Sequence, residues 1–164
     1  MIQQGELFGE EVMPVGVEQI ERLTVEQALS NRDNLYLLLQ DWLDAGWIRA
    51  LDVALVKLLG QLDPNAQPLA LLAVALVSHQ LGHGHICLDL PSVLRDPDLA
   101  LLLPPEGRAV EQQPLLPSAL LAAVSQKDWV AALQNTQLLY QQGSDASAKP
   151  LVLLSGRLYL YRYW

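Results

Sequence analysis

The sequence is short of the residues on which most site chemistry depends: one cysteine, three histidines, three lysines, and aromatic side chains at only 6 % of 164 positions. A single cysteine excludes an internal disulfide, and no charged-then-apolar leader opens the chain, so a reducing cytoplasm is the expected setting. The scarcity of lysine excludes more. None of Lys57, Lys127 and Lys149 follows a glycine, so the chain lacks the Gly-Lys-Ser/Thr loop that cradles nucleotide phosphates. Ten Lys and Arg residues stand against 18 Asp and Glu, a net charge of −8. Affinity for a phosphate backbone comes from clustered cations, so autonomous binding to nucleic acid is not expected, and the field favours basic partners or none. Few aromatics in a chain that is 51 % hydrophobic leave Leu, Val and Ala to build the core, a composition that favours helices.

What is abundant is one apolar stretch, PLALLAVALVSHQLGHGHICLDL, at residues 68–90. Pro68 suits a first helical position, where its missing N–H costs nothing, and residues 69–77 run on without a charge. A helix apolar on every side has no wet face and belongs in the middle of the domain. Over residues 68–81 it would be roughly 21 Å long, short of the ~20 residues that a membrane span needs, so a buried core helix is predicted. Gly82 and Gly84 then break it. Alternation over residues 85–90 predicts a short half-buried strand, with Ile86, Leu88 and Leu90 on one side and His85, Cys87 and Asp89 on the other.

Residues 1–33 carry seven acids against two arginines and little periodic hydrophobicity, which reads as an acidic arm, loose as far as about Met13. Val17, Ile20, Val25 and Leu29 allow a weak amphipathic helix within it, and Thr24 with Gln27 offers a capping box that would restart that helix. A helical domain is expected over 34–149. In it Asn34 caps a helix with Leu35, Leu38, Leu39, Trp42 and Leu43 inward and Gly46 just past its end. A second helix, capped by Asp52, is expected to turn Leu51, Leu55, Leu58 and Leu59 inward and to end at Gly60; the two form a hairpin that the Pro68 helix closes.

Further along, Pro91 and Ser92 start a short turn of helix, and Asp98 restarts another that buries Leu99, Leu101, Leu102 and Leu103. The proline-rich residues 104–117 read as a surface loop. Ser118 is the expected cap of the helix ALLAAVSQ, and Asp128 that of a last run, WVAALQNTQLLY, containing Trp129, Val130, Leu133, Leu138 and Leu139; short strands are the alternative, since residues 125–133 have no strong period. A polar connector follows. Residues 150–164 then read as a β-hairpin turning at Ser155-Gly156, with Leu158 and Leu160 on one face and Tyr159, Tyr161 and Tyr163 on the other. The chain stops in mid-strand on Tyr-Arg-Tyr-Trp, so a further domain is expected downstream.

Four potential metal ligands, His79, His83, His85 and Cys87, fall within nine residues. Zinc accepts imidazole and thiolate, but His79 would have to turn back from a helix end across two glycines to meet the others, and no second Cys or His pair exists. The expectation is no metal: histidines bonded to backbone, and Cys87 as a small buried hydrophobe. Asp96 with Asp98, and Glu10 with Glu11, read as solvated charge. Basic and aromatic residues mingle only at Arg157, Tyr159, Tyr161, Arg162, Tyr163 and Trp164. They offer stacking for single-stranded bases, but two arginines make a feeble electrostatic groove. A strand face meeting a partner, a downstream domain or a second copy explains the same residues more simply. Arg157, Tyr159, Tyr161, Tyr163 and Trp164 are therefore the candidate interface, with no catalytic, cofactor-binding or metal residue assigned.

The order of the Asp52 helix, then ALLAVALVSHQLGHGHICLDL with Ser78-His79, Gly84-His85 and Cys87-Leu88, then PLVLLSGRLYLYRYW, resembles the N-terminal domain of RecD, the α subunit of the bacterial RecBCD helicase-nuclease (exonuclease V). The resemblance spans about residues 47–164. It implies a non-catalytic domain preceding an ATPase motor, with ATP and magnesium confined to that motor. It also implies docking on a RecC-like subunit, and through it on a RecB-like one, during repair of double-strand breaks. The expected fold is mainly α, a compact multi-helix domain with a short strand and a C-terminal β-hairpin. Two other classes stay open at this stage, a small winged-helix-type DNA-binding domain with the hairpin as its wing, and a His/Cys metal-dependent enzyme.

Overall fold

The computed structural model describes residues 22–101, 113–143 and 149–161. Helix α4, Pro68–Gly82, lies at the centre. Pro68 occupies its first turn, and ten consecutive residues, 70–79, are buried. That is what a segment without a polar stripe requires, because any exposed face of it would leave leucine or valine in water.

Around α4 stand α1 (Val25–Ala28), α2 (Arg32–Asp44) and α3 (Ala50–Leu62) on the N-terminal side. After it come α5 (Leu90–Arg95), a 3₁₀ turn (Pro97–Leu101), α6 (Pro117–Leu121) and α7 (Gln126–Gln134). The short strand β1 (Leu88–Asp89) precedes α5, and β2 (Leu151–Leu154) with β3 (Arg157–Leu160) forms the hairpin. The three strands are antiparallel in the order β1-β3-β2. Leu158 faces both Leu88 and Leu153 across the ladders, and it is fully buried. The architecture is thus mainly helical with a small sheet, as the composition implied.

Local signals account for most helix starts. Thr24 and Gln27 form the predicted capping box on α1, and Ala28 and Leu29 then pack into the core. Asn31, not Asn34, caps α2: its side chain accepts the Asn34 N–H at 2.8 Å. Ser125, not Asp128, caps α7 in the same geometry, so the stretch with no clear period is a helix. Ser118 is no cap either. Its own N–H is satisfied by Asp98 Oδ1, at 2.9 Å, from the 3₁₀ turn.

The predicted strand over 85–90 shrinks to Leu88–Asp89, because Asp89 caps α5 by accepting the Ser92 N–H, and Leu90 is already helical. Ile86 is accordingly 64 % exposed rather than on a buried face. In the 3₁₀ turn Ala100 and Leu101 are buried while Leu99 is 59 % exposed. Leu102, Leu103 and most of the proline-rich loop lie outside the described residues.

Helix α3 departs furthest from expectation. Its inward residues are Asp52, Val53, Val56, Leu59 and Gly60, whereas Leu51 and Leu58 point outwards. A segment rich in apolar residues all round its axis offers several faces, and periodicity alone does not choose among them. Gly60 does not end the helix. It lies within it, where an added Cβ would collide with the Tyr36 hydroxyl, so glycine leaves room for the Tyr36 side chain of α2 against α3.

Two of the buried indoles, those of Trp42 and Trp129, are fully sealed in and satisfied. Trp42 Nε1 donates to the Leu115 carbonyl at 2.8 Å and Trp129 Nε1 to that of Leu69 at 3.0 Å, tying α2 to the start of α6 and α7 to α4. The hairpin turns at Ser155 and Gly156, both in the left-handed region (φ 51° and 73°), as a two-residue turn needs. Gly156 also accepts the Leu90 N–H at 3.0 Å, which docks the turn onto α5.

The burial pattern gives a differential test. Leu72→Ala or Leu76→Ala, each emptying space in the middle of the core, should cost about 2–5 kcal/mol. Leu58→Ala makes the same chemical change at a residue 52 % exposed, and should cost less than about 1 kcal/mol. Denaturant unfolding of the three variants checks this, and equal losses at all three positions would contradict the central placement of α4.

Candidate functional site

The most concentrated polar chemistry sits where α3 crosses α4. Arg49 precedes α3, and Asp52 in its first turn reaches back so that Oδ2 accepts the Arg49 N–H at 2.9 Å. The Arg49 guanidinium closes the ring, with Nε 3.3 Å from Oδ2 and Nη2 2.7 Å from Oδ1. From α4, Ser78 Oγ donates to Oδ1 at 2.6 Å, and Arg49 Nη2 also donates to the Ser78 carbonyl at 2.8 Å. Asp52 is wholly buried.

His79 completes the group. Its Nε2 lies 3.1 Å from the Leu101 carbonyl and therefore carries a proton, while Nδ1 faces Asp52 Oδ2 at 3.6 Å, beyond hydrogen-bond length. Burial by itself would push the Asp52 carboxyl up. The neighbouring His79 ring, the Arg49 guanidinium, the Ser78 hydroxyl and the Arg49 N–H outweigh it and hold the carboxyl well below the usual range.

A second buried carboxylate does similar work at the other end of α3. Asp63 accepts Thr136 Oγ1 at 2.7 Å and the Gln137 N–H at 2.9 Å on Oδ2, and the Asn65 N–H at 3.1 Å on Oδ1. Burial opposes ionisation, but these bonds and nearby Arg32 bring the carboxyl below its ordinary value. Arg32 itself donates to the carbonyls of Asp63 and Pro64. Both carboxylates are buried, and their oxygens are bonded to donors of the domain itself.

The potential ligands of the 79–87 stretch are not brought together. His79 is buried, His83 and His85 are exposed, and Cys87 is half-buried rather than inside. His83 Nδ1 donates to the His79 carbonyl at 2.9 Å, and the two rings lie 4.3 Å apart, tilted by 47°. No three His, Cys, Asp or Glu residues among those described converge as a metal site would require. Asp98 is engaged with the Ser118 N–H. An open cleft of about 510 Å³ runs beside β1, lined by Ile86, Cys87, Val93, Asp96, Leu99 and Arg157.

Of the candidate interface, Arg157 is exposed and its Nε lies 3.2 Å from Asp89 Oδ2, across the β1–β3 ladder. Tyr159 is half-buried opposite the buried Val152, and Tyr161 is 40 % exposed. Tyr163 and Trp164 lie outside the described residues. The sequence pointed to Asp52 as the cap of α3; Arg49 holds that position, and Asp52, three residues on, is the buried hub. The signals were the Arg49–Asp52 spacing, fitted to a reciprocal cap, and the Ser78-His79 pair, polar inside an apolar helix.

Fold and polar centre together define a mainly helical domain with a small antiparallel sheet, whose buried ionisable groups fasten one element to another. The chain belongs to the family described as the N-terminal domain of RecD, a subunit of the RecBCD enzyme, whose model matches residues 44–159. The match includes the whole Asp52 cluster and runs as far as Tyr159. No curated protein matches the chain. No helix among the described residues is long and apolar enough to cross a membrane.

The depressed carboxyl of Asp52 fixes the sign of a pH effect. Its stabilising contribution is fully present above the unfolded value near 3.9 and is lost as pH falls through the lower folded value. Asp52→Asn should therefore cost about 1–3 kcal/mol at neutral pH, because donors from Arg49 and Ser78 lose their carboxylate while the Arg49 side chain, 41 % exposed, keeps access to water, and the gap to the parent should narrow below about pH 4. Melting temperatures of both proteins from pH 7 to pH 2 decide it; a gap that ignores pH would mean that the charge contributes nothing.

Proposed function

We propose that this chain is a non-catalytic interaction domain of a RecD-like subunit. It docks that subunit onto a RecC-like partner, and through it a RecB-like one, in a cytoplasmic complex that unwinds and degrades DNA at double-strand breaks. The observation that carries the reading is the family match over residues 44–159. It is supported by where the ionisable residues stand: Asp52, Ser78, His79 and Asp63 are all buried and bonded to elements of the domain itself. ATP and magnesium belong, on this reading, to a motor domain of the subunit, and this domain binds no cofactor. The Arg157, Tyr159 and Tyr161 surface meets a neighbouring domain or subunit.

A second reading, a small DNA-binding domain of winged-helix type, is favoured by one observation. A helix, α7, precedes the β2–β3 hairpin, and the hairpin closes on β1. Against it, α7 carries Lys127 beside Asp128 and so no net cation, and the whole chain has a charge of −8.

One set of measurements separates the two. The purified chain should bind the RecC-like subunit of its own source in calorimetry or pull-down, should not hydrolyse ATP, and should bind duplex DNA no more tightly than about micromolar at physiological salt. Tight duplex binding without binding to the subunit would put the winged-helix reading in its place.

A further inference from the structure

Three of the largest exposed apolar side chains in the described residues share one face of one helix. Leu51, Leu58 and Leu62 of α3 are 64 %, 52 % and 61 % exposed, and half-buried Leu55 lies between them. The steps 51–55–58–62 are four, three and four residues, which is the a/d spacing of a coiled-coil seam. Apolar residues scattered singly over a surface need no explanation, but a row of leucines on one helix face marks an interaction site. On α3 the row lies opposite the side closed by Gly60 against Tyr36, so α2 does not cover it.

We infer that the Leu51–Leu55–Leu58–Leu62 face of α3 is the docking seam for one amphipathic helix of a partner subunit, packed side by side with α3. This rests on the docking role proposed above and adds the surface and the chemistry of its partner. The occupant is a helix held by another protein's fold, not a second copy of this chain. The seam is roughly 17 Å long, under two heptads, whereas self-sustaining coiled coils run to at least ~3. The family is that of a subunit of a larger enzyme, so the partner is sought among its other subunits. The seam itself carries no charge: the acid of α3, Asp52, is buried, and its cation, Lys57, sits over the Tyr36 ring of α2, 5.9 Å from the centroid. The matching helix therefore presents leucine-type side chains flanked by neutral polar residues.

The test compares the parent with Leu51→Gln/Leu58→Gln/Leu62→Gln, since glutamine keeps helix propensity while removing the apolar seam. Binding to the RecC-like subunit of the same source is the readout, with melting temperature and sedimentation measured on the free chains. The triple variant should bind at least roughly 30-fold more weakly, the loss expected of an interface centre. It should melt within a few degrees of the parent, and both free chains should sediment as monomers. A control, Ile86→Gln/Leu99→Gln, alters other exposed apolar residues and should bind as the parent does.

Unchanged binding by the triple variant overturns the seam while leaving the docking role intact. A large drop in its melting temperature also overturns it, because the leucines would then be covered within the chain. So does a parent dimer that the substitutions dissociate, which would make a second copy the occupant. A parent that binds no RecC-like subunit removes the docking reading itself, and the inference falls with it.

Discussion

The carboxylate of Asp52, held between Arg49 and Ser78 beside His79, is the constraint from which the arrangement of the helices follows. An ionised group taken out of water is costly unless every lone pair finds a donor, and the donors here come from two places: Arg49, which precedes α3, and Ser78 in the C-terminal part of α4. Only one rotation of α3 satisfies them. Once Asp52 points at Ser78, Val56 and Leu59 must face inwards with it, and Leu51, Leu58 and Leu62 must face water. An ion pair buried on its acidic side is weak support for stability, since a well-packed apolar substitute is often as stable. Its use here is to select one of several apolar faces that hydrophobic burial alone does not distinguish.

The same logic governs the rest of the core. Helix α4 is apolar all round and accepts neighbours on every side without preference, so their positions are set by directional contacts at the edges. Asp63 fastens the end of α3 to Thr136 and Gln137 after α7, and the two indole N–H groups fasten α2 and α7 to backbone carbonyls. Gln80 and His79 reach the carbonyls of Ala100 and Leu101, which holds the 3₁₀ turn over the C-terminal part of α4. Each is a single bond worth about 1 kcal/mol net, but leaving its buried partner unmade costs more. Packing supplies the affinity between elements, and polar contacts supply the register.

This division of labour bears on function. In an active site, ionisable groups converge on a cleft with some capacity left for a substrate. Here the buried carboxylates spend that capacity on hydroxyl, guanidinium and backbone donors from neighbouring elements. Among the described residues the surface includes a leucine row on α3, the Arg157–Asp89 pair with Tyr161 near the hairpin, and an open cleft beside β1. Surfaces of that composition suit contacts with protein, which accords with a family named for a subunit of a larger enzyme.

Sequence by itself determined the class of fold, the central place of α4, the hairpin at Ser155-Gly156, and the family, because each rests on local or compositional facts. A segment with no polar face has nowhere to lie but inside, and a turn with two left-handed residues specifies its own strands. Helix starts were legible to within two or three residues, since Asn31 and Ser125 are as able to cap as Asn34 and Asp128, and only the bonds formed decide; the ends were less so, for α6 stops at Leu121 and α7 at Gln134, short of the apolar runs ALLAAVSQ and WVAALQNTQLLY. The rotation of α3, and with it the hub at Asp52 and the exposed leucine row, was decided by tertiary structure. A helix apolar on several sides has no phase of its own, and the direction in which Asp52 points depends on Ser78, 26 residues away along the chain.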